Sequence, residues 1–209
     1  MNGSPVPPQG IPNLAVVPIT GVIEHWQVAP QPLAVTKPEV ALPSLYALAV
    51  DPQVAGVVIL VHSPGGDVDG GLAIAEAIAS LGKPTASLVL AAAHSIALAI
   101  AVAADKVFMA PTASIFVHPL QWTGQIRGYA QSLESIQALQ DRVNRFVLRK
   151  RLGLKEERLK ELSQRVNDMT GEPGTMLKAE EAIREGIADA VGGIRDVVQD
   201  LLARVGYTK

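Results

Sequence analysis

One serine in this sequence stands where a predicted strand passes into a helix, a position suited to nucleophilic chemistry. It is Ser95, in the segment AAAHSIALAIAVAA (residues 91–104), where His94 and Ser95 are the polar side chains. A serine at the first turn either caps the helix with its hydroxyl or attacks a substrate, with the positive helix end and its free amides stabilising an oxyanion. What separates the two alternatives is whether a base reaches the hydroxyl.

The four histidines are the candidates for that base. His94 is a poor base for its neighbour because adjacent helical residues point in different directions, so we expect packing or a local hydrogen bond. His25 is expected on the surface, and His62, beside a Gly-Gly turn, is expected near the site in contact with substrate. His118 ends the apolar segment SIFVHP, and open parallel sheets bind ligands at the carboxyl ends of their strands. His118 is therefore the leading candidate, with a neutral structural histidine as the alternative.

A pair of glycines lies between a buried segment and the next helix, in HSPGGD (residues 62–67). Gly65 and Gly66 permit backbone conformations closed to other residues, and amides at a helix N-terminus can hydrogen-bond an anion. The pair also fits a plain tight turn between strand and helix. A phosphate-binding loop is disfavoured because no Gly-Lys-Ser/Thr sequence follows.

Alternating strands and helices position these residues. The strands are continuous apolar, β-branched segments, typical of a sheet covered on both faces. They are predicted at 14–23, 54–62, 85–91, 106–110 and 114–119, with helices through Leu72–Leu81 and over 95–104, and a proline-punctuated connection over 30–40. This alternation predicts an α/β fold with a mainly parallel sheet and crossover helices.

The second half of the chain begins with a long polar helix, predicted from about 125 to 151. Apolar side chains recur on one face of it, and the other positions carry charged or amide side chains. The apolar positions are Tyr129, Leu133, Ile136, Val143 and Val147. The helix is too long and too polar to belong to the core alone. Further helices are predicted at about 155–164, 179–186 and 194–205, with a loop over 167–176.

The composition favours one large domain. Of 209 residues, 48% are hydrophobic and 18% are charged, which is enough to bury a substantial core. We predict a flexible tail over 1–13 and a single domain over 14–209. The net charge of -2, with acids and bases interspersed, argues against nucleic acid and anionic membranes as partners.

Several classes of site and location are disfavoured by what the sequence lacks. The absence of cysteine excludes disulfides, thiolate metal sites and a cysteine nucleophile. The N-terminal segment has no basic region followed by an apolar one, as a secretory signal would, which favours a cytoplasmic location. The most apolar stretch, 84–104, is interrupted by Pro84, His94 and Ser95, so we expect no membrane span there. No cofactor and no metal ion is predicted.

Three segments together resemble a known family. They are VVILVHSPGGDVDGGLAIAEAI, AAAHSIALAIAVAADKVFMAPTASIFVHP and, after the long helix, AEEAIREGIADAVGG. In order and spacing, from about 50 to 195, they are similar to the proteolytic subunit of the Clp protease, ClpP. The His-Ser pair at 94–95 is similar to the translocation-enhancing (TepA) type of that superfamily. The resemblance implies a ClpP/crotonase-like fold whose long helix is the ClpP handle.

The resemblance also implies roles for individual residues. Ser95 matches the nucleophile and His118 its general base, while the backbone amides of Gly66 and Ile96 match the oxyanion hole. A serine hydroxyl is a weak nucleophile until an imidazole takes its proton, and the oxyanion needs preorganised donors, so the residue types suit this chemistry.

The third member of the triad is where the sequence departs from the ClpP pattern. Ungapped alignment from the AEEA helix puts Gly174 at the place of the family aspartate, and glycine cannot orient a histidine. The loop over 167–176 resembles the family loop with one extra residue. We predict Glu172 as the orienting carboxylate, with Asp168 as the second candidate. A dyad completed by a backbone carbonyl or a water remains open.

The resemblance leads to an expected function: a serine endopeptidase of the Clp type that acts on peptides or unfolded proteins. The handle implies a homo-oligomer of ring type. An AAA+ ATPase partner is conceivable, but no docking residues for it are recognisable in the sequence. Two alternatives stay open. The missing aspartate favours a degenerate scaffold that acts by binding or assembly, whereas Lys83 or Lys106 would serve a serine-lysine enzyme like signal peptide peptidase A.

Overall fold

The computed structural model describes residues 11–24, 34–121, 129–166 and 172–207. His25, Asp168, most of the predicted tail and the predicted start of the long helix lie outside these ranges. The strands are β1 Asn13–Ile23, β2 Val35–Thr36, β3 Val54–Gly66, β4 Thr85–His94, β5 Lys106–Met109, β6 Ser114–Val117, β7 Thr175–Lys178 and β8 Ala190–Val191. The helices are α1 Pro38–Val50, α2 Val68–Ala79, α3 Ile96–Ala103, α4 Tyr129–Lys150, α5 Glu156–Gln164, α6 Ala179–Arg184 and α7 Ile194–Arg204.

The strands form one mainly parallel sheet in the order β2-β1-β3-β4-β5-β8. Strand β4 has two partners on one side. Its first half pairs with β5, from Ala86 to Val89, and its last residues, Ala92 to His94, pair with β6. Strand β7 is antiparallel to β6. The predicted α/β fold with a mainly parallel sheet is confirmed.

Helix α3 lies at the centre of the core. Each of its residues is buried, and it packs on α2, α4 and the central strands β3 and β4. A helix that is apolar on all sides is stable only when it is covered on all sides. Burial of each large aliphatic side chain contributes about 1.5–3 kcal/mol. The apolar sequence behind Ser95 therefore holds that residue on a rigid, buried element.

Helix α1 corrects the sequence analysis, which predicted a connection over 30–40. The helix begins at Pro38, where a proline is favourable because the first helical amide has no intrahelical partner. Pro43 lies inside it, removing one backbone hydrogen bond. Ala41 and Leu45 are buried in the hydrophobic core, and their burial outweighs that loss. The prolines suggested a loop, but tertiary packing decides this segment.

Helix α4 is the long helix predicted at 125–151. The side chains from Leu133 to Ala138 are largely exposed, whereas Phe146 and Val147 are buried. Two ion pairs, Arg142–Asp69 at 2.7 Å and Arg149–Glu76 at 2.6 Å, join the helix to α2. The C-terminal half of α4 is therefore fixed to the core beside the site. Within the described ranges, no helix combines the length and the apolar character needed to cross a bilayer.

Candidate active site

Ser95 lies at the junction between β4 and α3 in a strained backbone conformation. Its φ is 55° and its ψ is -131°, and it has the one positive φ outside glycine among the described residues. Such a conformation costs about 1–3 kcal/mol and persists when the surroundings over-determine it. Its hydroxyl makes no capping hydrogen bond to the helix. The helix-cap alternative therefore does not describe this serine.

The pairing of β4 with β6 brings Ser95 and His118 to one place. His94 pairs with Phe116, and the Ser95 amide donates to the Phe116 carbonyl at 3.1 Å. His118 follows directly after β6. Ser95 and His118 both line a cavity of about 30 Å³, together with apolar side chains of α3 and α4. Of the predicted catalytic residues, these two are brought together at the carboxyl end of the parallel strands.

The imidazole of His118 is held by its own backbone. Its Nδ1 lies 2.7 Å from the Pro119 carbonyl oxygen. A carbonyl can only accept, so Nδ1 carries the proton and Nε2 has a free lone pair in the neutral ring. The ring also stacks on Phe116, with centroids 4.8 Å apart. This is the tautomer that a general base for a serine hydroxyl requires.

The Gly65-Gly66 pair lies directly against Ser95. A Cβ on Gly65 would stand 2.6 Å from the Ser95 Cβ, and one on Gly66 would stand 2.1 Å from the Ile23 carbonyl oxygen. Neither position admits a side chain, and both glycines have positive φ. The Gly65 amide donates to the Ser63 hydroxyl at 3.1 Å. Strand β3 thus runs on to Gly66, beyond the end predicted at 62, because β1 continues to pair with it.

Two backbone amides are the predicted oxyanion donors. Ile96 is the first residue of α3, and the first amides of a helix have no intrahelical partner. Gly66 follows the residue that packs against Ser95. The role of both amides as oxyanion donors stays a prediction.

The contacts of the His94 ring do not suit a general base for Ser95. Its Nε2 lies 2.9 Å from the Ser114 hydroxyl, and its ring meets Phe116 edge-on at 6.0 Å. The expected local hydrogen bond is present. Burial lowers the pKa of His94 below its usual 6.5, and the nearby His118 and His62 lower it further. The ring is therefore neutral at neutral pH.

The loop before α6 carries the predicted orienting residue. Glu172 is exposed, and its role as third member stays a prediction. Gly174 has φ of 139°, and a Cβ on it would stand 2.7 Å from the Phe116 ring and 2.8 Å from the His118 Cβ. The position that aligns with the family aspartate therefore lies against His118, but the contact leaves no room for a side chain.

Three features of the site were missed by the sequence analysis: the Pro119 carbonyl, and the side chains of Gln140 and Asn144 in the cavity wall. A backbone carbonyl has no sequence signal. Gln140 and Asn144, spaced by one helical turn, read as part of the polar face of α4. Their amide groups are hydrogen-bonded to each other at 2.9 Å.

The lysines of the serine-lysine alternative lie at the amino-terminal ends of the strands, opposite to the end where Ser95 lies. Lys83 donates to the carbonyls of Asp51 and Val54, where β3 begins. Lys106 begins β5, level with Ala86 on β4. Ser95 lies at the far end of β4, about 30 Å along the strand. Neither lysine can act on the Ser95 hydroxyl in this fold.

Among the described residues, no group of three or more His, Asp or Glu side chains is arranged to hold a metal ion.

Comparison with known proteins decides the family. The Clp protease family model matches residues 28–195. The chain belongs to the Clp protease family. The translocation-enhancing protein TepA of Halalkalibacterium halodurans is 39% identical over 197 residues, which cover 94% of this chain and 76% of that protein. The predicted membership among the ClpP-like proteins, with similarity to the TepA type, is confirmed.

Proteolytic subunits of Clp proteases are also similar. The ATP-dependent Clp protease proteolytic subunit 1 of Protochlamydia amoebophila is 30% identical over 139 residues, 65% of this chain and 64% of that one. The corresponding subunit of Chlamydia muridarum is 31% identical over 96 residues, 45% of this chain and 50% of that one. The chain thus has the scaffold of a serine peptidase family.

Proposed function

We propose that the chain is a serine endopeptidase that forms an acyl-enzyme on Ser95 with His118 as general base. One observation carries this proposal. The hydroxyl of a strained serine and an imidazole with a free Nε2 line the same small cavity beside a helix N-terminus. Strain of this kind at a residue that does not cap its helix is expected of a functional position.

The proposed reaction uses these groups in sequence. The Ser95 Oγ attacks the carbonyl carbon of the scissile peptide while His118 Nε2 takes its proton. The amides of Gly66 and Ile96 donate to the resulting oxyanion. His118 returns the proton to the leaving amine as the C–N bond breaks. A water then loses a proton to Nε2 and attacks the ester carbonyl. As the ester C–O bond breaks, Nε2 returns that proton to the Ser95 Oγ, and the carboxylic acid leaves.

The orienting group is assigned to the Pro119 carbonyl. Two acceptors are in question for the His118 Nδ1 proton: that carbonyl, at 2.7 Å, and the carboxylate predicted from the sequence, Glu172. The observed hydrogen bond supports the carbonyl, which fixes the tautomer without adding a negative charge. Glu172 stays a prediction that can be tested by substitution.

Membership of the Clp protease family supports the proposed substrate and assembly. We propose peptides or unfolded proteins as substrates, and a homo-oligomer in which the exposed part of α4 meets a second copy. The relatives of Chlamydia muridarum and Protochlamydia amoebophila are named as subunits of ATP-dependent proteases. Dependence of this chain on an ATPase is not part of the proposal. A cytoplasmic location stays a prediction.

A fluorophosphonate probe tests the proposal. The wild type should be labelled, and tryptic mapping should place the label on Ser95. Ser95→Ala should abolish labelling, while Ser114→Ala, which removes the hydroxyl bonded to His94, is the matched control and should keep it. A folded wild type that is not labelled would support the degenerate scaffold instead. Labelling that survives Ser95→Ala would count against the assigned nucleophile.

A further inference from the structure

We infer that Gln140, on the long helix α4, is a positioning residue for the imidazole of His118. It acts through the single peptide group that joins Pro119 to Leu120. This inference rests on the proposed function in assigning His118 as the base. It adds a residue that neither the sequence pattern nor the family resemblance assigns.

A hydrogen bond joins helix α4 to the segment that follows β6. The Leu120 amide donates to the Gln140 Oε1 at 2.7 Å. The Gln140 Nε2 donates to the Asn144 Oδ1 at 2.9 Å, one turn further along α4. Because the Leu120 amide can only donate, Oε1 must face it, and the orientation of the Gln140 amide is determined.

Both ends of the peptide group between Pro119 and Leu120 are held by hydrogen bonds. Its N–H belongs to Leu120 and its C=O belongs to Pro119, and the group is planar. The N–H end is bonded to Gln140, and the C=O end accepts from the His118 Nδ1 at 2.7 Å. Fixing one end of a planar group fixes the direction of the other. Gln140 therefore sets where the acceptor for His118 points.

The hydrogen bond to Gln140 also polarises the Pro119–Leu120 peptide group. A hydrogen bond accepted from a peptide N–H polarises the group and strengthens its C=O as an acceptor, as in other hydrogen-bonded chains. The chain here runs from His118 through the peptide to Gln140 and on to Asn144, and all three side chains line the cavity that holds Ser95. A neutral carbonyl is a weaker partner for imidazole than a carboxylate. The second hydrogen bond strengthens the acceptor that replaces the carboxylate.

Two variants separate this role from a general effect on the helix. Gln140→Met keeps the length and helix propensity of the side chain and removes the acceptor. Gln140→Glu keeps an oxygen acceptor for Leu120, and Asn144 can turn its own amide to donate to the new carboxylate. Gln137→Met is the matched control, because Gln137 is exposed on the same helix about one turn away.

The first readout is the tautomer of His118, measured by long-range ¹H–¹⁵N correlation on protein labelled at histidine. Comparison with His118→Gln assigns the ring, and the measurement needs no enzymatic activity. The wild type, Gln140→Glu and Gln137→Met should show mainly the Nδ1–H form. Gln140→Met should show a mixture of the two tautomers. An unchanged tautomer in Gln140→Met overturns the inference, and so does an equal change in Gln137→Met.

The second readout is the second-order rate constant of acylation by the fluorophosphonate as a function of pH. Gln140→Met should lower it roughly five- to tenfold, the effect expected for one lost hydrogen bond, and Gln140→Glu should restore it to within about twofold. Failure of Gln140→Glu to restore the rate counts against the inference. Absence of acylation in the wild type would contradict the proposed function and not this inference. The tautomer measurement would then still test the role of Gln140.

Discussion

The amide of Ser95 donates a hydrogen bond to the carbonyl of Phe116 at 3.1 Å. This bond ties the backbone of the proposed nucleophile to the strand that ends just before His118. The relative position of the two residues is thus set by main-chain pairing between β4 and β6, and not by contact between their side chains. Changes that move β6 should therefore affect the reaction even when Ser95 and His118 are untouched.

His118→Ala should lower the rate of acylation at Ser95 by at least about 100-fold, because no other base then takes the hydroxyl proton. The measurement is the rate of fluorophosphonate labelling at neutral pH. His94→Ala is the comparison, and it should keep labelling while lowering the free energy of unfolding by about 1 kcal/mol through loss of the bond to Ser114. If both variants lose labelling equally, the distinction between the two histidines is wrong.

Glu172→Gln decides between the carboxylate predicted from the sequence and the carbonyl observed in the structure. With the Pro119 carbonyl holding the Nδ1 proton, the variant should acylate within about threefold of the wild type, since one exposed surface interaction is altered. Loss of an orienting carboxylate would instead lower the rate by about 10⁴-fold, as in a serine triad. A loss of that size would restore Glu172 as the third member.

Gly174→Ala should destabilise the protein and slow acylation, because its Cβ would overlap Phe116 and His118 and its φ of 139° excludes other residues. We expect the free energy of unfolding in urea to fall by about 2–4 kcal/mol. Gly82→Ala is the matched control. Gly82 also has a positive φ, but no atom lies within 4 Å of its Cβ position, so the loss there should be about 1 kcal/mol.

Stability should fall on acidification through His94. Burial, followed by the charges of His118 and His62, lowers its pKa below 6.5 in the folded protein. The unfolded state therefore binds more protons between the two pKa values, and the free energy of unfolding falls as pH drops through 6.5. Urea unfolding between about pH 7.5 and pH 5 measures this. His94→Gln should show a shallower decrease; an identical pH dependence would show that His94 makes no contribution.

The sequence predicted the sheet because it depends on strong local patterns, and apolar β-branched segments indicated the parallel strands. The positions of Ser95 and His118 at strand ends made them candidates, and the family resemblance implied their roles, which stay a prediction. Helix α1 was missed because Pro43 lowers the local propensity for a helix, whereas burial of Leu45 against the core stabilises it. A pattern of propensities does not include that tertiary contact.

The sequence left a backbone carbonyl open as the partner of His118, but it could not identify which carbonyl. The Pro119 carbonyl is a backbone atom, so no residue type indicates it, and Gln140, which accepts from the amide of the same peptide group, lies far along the chain on α4. The bond to Leu120 depends on how α4 docks beside β6. Sequence reasoning finds side chains with the right chemistry, but it cannot find a main-chain acceptor that depends on docking.

The division of β4 between two partners has a consequence for synthesis of the chain. Its first half pairs with β5, but its end pairs with β6, which is made later. Domains fold as units while the chain emerges from the ribosome. Until β6 has emerged and paired, the Ser95 amide lacks its acceptor and the hydroxyl lacks the base that follows β6. In the proposed mechanism, the nascent chain therefore acquires its nucleophile and base together only after β6 has joined the sheet.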